Sequence, residues 1–294
     1  MVKRGPEARP SDSRGLVVAL GAVILSAAIA WVFGIDPYLL IGGAELLTGP
    51  SRAPQGQAPP TAPRTTPPQD DMGRFISKVL GSTELQWKQI FAKDGKTYRP
   101  PVLVLYRGAT HASCVGVAER AMGPFYCSAD QKVYLDTSYF DEIALRGGCD
   151  FVSKTCQVSQ VYVIAHEVGH HVQNLLGILP KAQQAQRAAD SRVVANLIQK
   201  QVELQADCLA GVWANRENEM LKSEGKGTFF GPDDTAAVMQ TAAALGNDTQ
   251  RRAQGYVVPD SFTHGTAQQR QRWFTAGLES GSVRSCNTFA ATQL

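Results

Sequence analysis

The sequence predicts an α+β domain, a small β-containing part followed by helices, carried behind one membrane-length apolar segment. Three observations lead there. Short apolar runs bounded by proline and glycine fall between residues 101 and 135. Helix-forming stretches dominate from Ser159 onward. Near the N-terminus, Gly15 to Ile35 runs 21 residues without a charge. The 294 residues suit one large domain plus appendages. A net charge of +3 makes no case for a nucleic-acid partner.

In order, residues 1–14 form a polar tail with Lys3, Arg4, Arg9 and Arg14 against Glu7 and Asp12. As a helix, 15–35 would be about 31 Å long, enough for a bilayer core. Basic residues precede it and Asp36 follows. The positive-inside rule then puts the tail in the cytoplasm and everything after residue 35 outside. The segment reads as an uncleaved single-pass membrane anchor. A cleaved signal peptide, cut after Ala28-Ile29-Ala30, is the alternative, and it exports the domain equally. Residues 36–71 read as a linker. Its start, Tyr38-Leu39-Leu40-Ile41 and Leu46-Leu47, is apolar but too short and glycine-broken to span. Between Pro50 and Asp71, seven of 22 residues are proline, which favours an extended spacer.

The folded domain is expected over 72–294. Asp71 suits a cap for a helix over Gly73–Leu80, and Ser82–Phe91 reads as a second helix. Strands are expected at Pro101–Tyr106, Phe125-Tyr126 and Val133–Leu135. Val133–Asp136 is the candidate edge strand for pairing with an extended substrate, and a plain core strand is the rival reading. Ser159–Leu176 reads as a long helix stopped by Gly177. Pro180 can start the next, running with a possible interruption to Leu221. Pro232–Gly246 and Thr263–Gly277 complete the helices.

The chemistry centres on His166-Glu167-Val168-Gly169-His170, an H-E-x-x-H pattern. Helix positions four apart share a face, so both imidazoles can address a single ion. Zinc favours such neutral nitrogen donors. Glu167, one step round, can reach a water at the ion without ligating it, the place of a general base. Gly169 weakens a helix interior by about 1 kcal/mol relative to Ala, which suggests that another segment passes close there. A third protein ligand is needed, and Glu203 and Asp207 stand four apart on a later helical stretch.

Cys114, Cys127, Cys149, Cys156, Cys208 and Cys286 form an even set in an exported chain, where disulfides fit. Six cysteines allow 15 pairings. The short separations suggest Cys114–Cys127 and Cys149–Cys156, leaving Cys208–Cys286. Free thiols, Cys208 above all, remain an alternative. A cysteine zinc site is disfavoured because no C-x-x-C spacing occurs. His264, with Arg270 six residues later, is a candidate donor to an oxyanion. A plain surface or capping role is its rival. His171 is rotated about 100° from His170 and has no metal role. His111 stays unassigned.

These motifs resemble the YpfJ-like neutral zinc metallopeptidase family of bacterial membrane proteins. The resemblance rests on G-P-F-Y-C-S-A-D (123–130), V-Y-L-D (133–136), Y-V-I-A-H-E-V-G-H-H-V-Q-N (162–174), E-L-Q-A-D-C-L-A-G-V-W-A-N (203–215), F-T-H-G-T-A-Q-Q-R (262–270) and C-N-T-F (286–289). It implies a zincin-like domain of gluzincin type, with E-x-x-A-D following H-E-x-x-H. On that resemblance one Zn²⁺ per chain is held by His166, His170 and Glu203, and Asp207 hydrogen-bonds His166. The implied activity is hydrolysis of peptide bonds in peptide or protein substrates at the cell envelope. A non-catalytic zinc-stabilised binding or scaffold protein and a zinc amidase acting on a cell-wall amide are the rivals. Oligomeric state is not read from the sequence.

Overall fold

The computed structural model describes residues 70–119, 122–147, 149–150, 153–231, 234 and 264–294. The expected anchor, the apolar segment 36–49, the expected proline linker and the helix expected over 232–246 lie outside these residues, apart from 70, 71 and 234. Among the described residues no helix is long and apolar enough to cross a membrane.

Helix α1 spans Asp71–Lys93 without the break expected at Gly81. Ile76, Val79, Trp87 and Phe91 line one buried face through that point, and their burial outweighs the helix cost of one glycine. Its cap is Asp70, not Asp71. The Asp70 carboxylate accepts the Gly73 N–H at 2.7 Å.

Five strands follow: β1 Val102–Tyr106, β2 Ala109–Ala112, β3 Gly116–Glu119, β4 Phe125–Cys127 and β5 Lys132–Asp136. One sheet has the order β1-β5-β4, with β5 parallel to β1 and antiparallel to β4. The candidate edge strand over 133–136 is therefore the central strand, as the rival core-strand reading had it, and β1 and β4 are the edges. Val133, Tyr134 and Leu135 are apolar because they have a neighbour on both sides and are almost wholly buried. The second sheet, the β2–β3 hairpin, was not anticipated. Its strands are small and polar, and only Thr110, Ala112 and Ala118 turn inward. His111 lies exposed on it.

Helix α2, Ser138–Gly147, is also new. Buried Asp136 starts it, accepting from the Ser138 N–H at 2.8 Å and the Ser138 hydroxyl at 2.6 Å. Helix α3, Lys154–Leu175, begins at the Ser153 cap, earlier than expected, and is buried along most of its length. Gly177, at φ 73°, turns the chain into α4, Ile178–Arg187. A break at 188–191 separates α4 from α5, Arg192–Ser223. Helix α6, Ala267–Ser280, starts at a Thr266–Gln269 capping box. It begins later than expected and runs through Gly277 rather than stopping there. A 3₁₀ turn, Val283–Cys286, leads to the C-terminal segment.

Helices α3, α5 and α6 touch backbone to backbone, and glycine makes this possible. A Cβ on Gly169 would lie 2.8 Å from the Ala206 carbonyl oxygen. One on Gly277 would lie 1.9 Å from the Cys208 oxygen, and one on Gly211 2.1 Å from the Phe274 oxygen. The close approach inferred at Gly169 is thus α5, at the residue just before Asp207. Three disulfides join Cys114–Cys127, Cys149–Cys156 and Cys208–Cys286, the pairing suggested by the short separations.

Candidate metal centre

Helix α3 presents His166 and His170 one turn apart, their ring centroids 4.8 Å from each other. Helix α5 crosses at Gly169 and brings Glu203 to face both. Its Oε2 lies 3.2 Å from His166 Nε2 and 3.6 Å from His170 Nε2. One ligand atom from each residue falls within 4.8 Å of the others. Two imidazole nitrogens and a carboxylate oxygen form a borderline donor set suited to zinc.

The far side of each group is held, and this decides the fit. His166 Nδ1 meets Asp207 Oδ1 at 2.8 Å. His170 Nδ1 meets Gln173 Oε1 at 2.9 Å. Glu203 Oε1 accepts from Gln199 Nε2 at 2.7 Å. Each imidazole can therefore offer Nε2 to an ion once that nitrogen gives up its proton, and Glu203 keeps Oε2. Residues that point three such donors at one place fit a zinc ion.

Comparison with known proteins agrees with this geometry. The family model described as "Putative neutral zinc metallopeptidase" matches residues 3–289. The chain belongs to that metallopeptidase family. It is 43% identical over 287 residues to "Uncharacterized protein YpfJ" of Escherichia coli K12, covering 97% of this chain and 90% of the relative. It is 38% identical over 234 residues to "Uncharacterized protein Rv2575" of Mycobacterium tuberculosis H37Rv, covering 76% of this chain and 74% of the relative. No solved structure matches at a significant level.

In this family member Arg270 reaches behind His166, its Nη2 3.4 Å from His166 Nδ1. Its guanidinium is buried and forks onto Asp207, Nε to Oδ2 and Nη2 to Oδ1, both at 2.9 Å. Tyr162 donates to the same Oδ1 at 2.6 Å. Arg270 was expected to support an oxyanion donor, but its fork is spent on the carboxylate that orients His166. Helix α6 points it down into the α3–α5 crossing. His264 is half exposed, with Nε2 3.9 Å from Glu203 Oε2. It therefore stands at the open side of the ligand cluster.

The charges follow from burial and pairing. Burial alone would raise the Asp207 carboxyl, but Arg270 and His166 outweigh it and hold it down at about 2. Burial likewise opposes charge on His166, yet Asp207 and Glu203 push its ring up to about 10. Burial would also raise Glu203, and the facing histidines hold it well below the carboxylate range. Asp207 titrates lower in the folded chain than its unfolded value of about 3.9. The stability it contributes is therefore complete above that value, and about 2 kcal/mol is lost as pH falls toward 2. Arg270→Leu leaves a buried carboxylate without its cation and is expected to cost about 3–5 kcal/mol. Urea unfolding at pH 7 measures that loss. A change under about 1 kcal/mol would mean that Asp207 does not depend on Arg270.

A cleft of about 610 Å³ opens over the ligands. Tyr126 and Ser128 line one wall from β4 and its turn, Gln183 and Gln186 another from α4, and Glu167 faces in beside His166. Tyr126 is tied to the metal helix, its hydroxyl 3.0 Å from His171 Nδ1 and 2.9 Å from Asn174 Nδ2. His171 Nε2 donates to the Arg99 carbonyl at 2.6 Å. This partnership uses both ring nitrogens. Sequence reasoning missed Gln173, Gln199, Tyr162 and Tyr126. Gln173 carried a signal, since it stands three residues after His170 and so shares its helix face.

Proposed function

We propose that this chain is a membrane-anchored zinc endopeptidase with its catalytic domain outside the cytoplasm. The observation that carries the chemistry is the trio His166, His170 and Glu203, each braced from behind, with Glu167 turned into the cleft beside them. These three residues would hold one Zn²⁺. When bound, the ion supplies Lewis acidity, making water a stronger acid and polarising a carbonyl. Glu167 takes the proton as water attacks the peptide carbonyl and delivers it to the departing amine. His264, at the open side of the cluster, donates to the oxyanion. Asp207, held by Arg270 and Tyr162, keeps His166 in the tautomer that ligates.

The edge strand β4 gives the substrate its place. It runs along the cleft with one side unpaired by β1 or β5, and an extended peptide can add to it by main-chain hydrogen bonds. The anchor over 15–35 and the linker over 36–71 support placing the domain at the envelope surface, and three disulfides suit an oxidising compartment.

Metal analysis and cleavage of a peptide library by the purified full-length chain test the reading. One zinc per chain is expected. Cleavage should vanish with a chelator and return on adding zinc. One zinc with no cleavage of any peptide would favour the binding-protein reading, and cleavage of a cell-wall amide alone would favour the amidase.

A further inference from the structure

The C-terminal motif Cys286-Asn287-Thr288-Phe289 does not line the cleft. It grips α5 at Gln201, Gln205 and Cys208, on the face turned away from Glu203. The Thr288 hydroxyl donates to the Gln201 carbonyl at 2.7 Å, and Thr288 is wholly buried. Gln205 Nε2 donates to the Cys286 carbonyl at 2.8 Å. The Cys208–Cys286 disulfide pins the same turn to α5 one residue beyond Asp207.

From there a chain of buried amides reaches the metal helix. Gln173 Nε2 donates to Gln205 Oε1 at 3.0 Å and to the Val202 carbonyl at 2.8 Å. Gln173 Oε1 meets His170 Nδ1 at 2.9 Å. The direction of every link follows from its ends. A backbone carbonyl can only accept. The Cys286 carbonyl therefore turns the Gln205 amide so that Nε2 faces it, leaving Oε1 for Gln173. Gln173, with Nε2 facing two acceptors, offers only Oε1 to the histidine. His170 must then carry a proton on Nδ1, which leaves Nε2, on the Glu203 side, as the nitrogen that can ligate a metal.

We propose that the Cys286–Phe289 turn is a positioning element of the metal centre, setting the tautomer and ring angle of His170 through Gln205 and Gln173. This rests on the zinc reading above. It gives the second histidine a neutral brace, where the first has the charged Asp207–Arg270 brace. Gln173, Gln205 and the Cys286 carbonyl touch neither substrate nor reacting atoms, so they are positioning groups.

The experiment is zinc affinity of the full-length chain by chelator competition, read beside the thermal midpoint. Gln173→Leu is expected to weaken zinc about 10- to 100-fold. Gln205→Leu should weaken it less, because the Val202 carbonyl still orients Gln173. Gln205→Leu and the paired Cys208→Ala, Cys286→Ala change should be non-additive in zinc affinity, since both cut one chain. Wild-type affinity in Gln173→Leu, or full additivity between Gln205→Leu and the cysteine pair, would overturn the proposal. Should a variant fold poorly, ¹⁵N NMR of the zinc-loaded wild type decides instead. The His170 Nδ1 proton should be present, shifted downfield and slow to exchange, and its absence would overturn the relay. Failure of the wild type to bind zinc at all would instead remove the zinc reading on which the relay rests.

Discussion

Glu167→Gln is expected to lower peptide cleavage by about 10³-fold while zinc content stays at the wild-type level. General acid–base catalysis contributes this order of rate, and the amide keeps the shape of the carboxylate but cannot take a proton. Glu167 lies one helix step from His166, lines the cleft and is nearly buried, so the substitution changes chemistry more than packing. Metal analysis beside kcat on the best library peptide is the measurement. Cleavage within tenfold of wild type would remove Glu167 from the reaction and leave the metal trio without a base. Loss of zinc together with activity would give Glu167 a structural role instead.

Gly277→Ala is expected to destabilise the domain by about 3 kcal/mol or more, against the usual direction for a helix interior. Propensity alone favours Ala by about 1 kcal/mol. The added methyl would lie 1.9 Å from the Cys208 carbonyl oxygen and 2.8 Å from the Val212 nitrogen. Those are backbone atoms of a helix that cannot rotate aside, so α5 and α6 must separate. Separation strains the Arg270–Asp207 pair, which spans the same two helices, and overpacking of this kind is costly. Denaturant unfolding at pH 7 measures it. Gly81→Ala in α1, where a Cβ meets nothing within 4 Å, is the control and should be neutral or slightly stabilising. A stable Gly277→Ala chain would show that the crossing yields more easily than its backbone contacts imply.

What was legible in the sequence was whatever helix periodicity dictates. His166 and His170 share a face because four residues make one turn. Glu203 and Asp207 share one for the same reason, and the structure brings the two faces together. The disulfide pairing followed from sequence separation. Strand order was not legible, because alternation of apolar residues gives the face of a strand and not its neighbours. Val133–Asp136 could be read as an edge or as a core strand, and it is the central strand, while the more apolar β1 lies at an edge. The β2–β3 hairpin escaped because alanine, glycine and glutamate carry little strand preference. Arg270 was placed by motif rather than by contact, and only the α5–α6 crossing shows that its fork is spent on Asp207. The glutamine braces were invisible, since a buried amide and a solvated one look alike until the carbonyls that orient them are known.

Arg270 follows His166 by 104 residues in the chain, and Cys286 comes later still. Loop closure of that length is slow, and in a chain made from its N-terminus the closing partners are the last to be made. Until Arg270 arrives, Asp207 has no cation and cannot be buried at acceptable cost, so His166 is not yet oriented. The brace behind His166 is therefore completed only once the C-terminal part of the chain has been made.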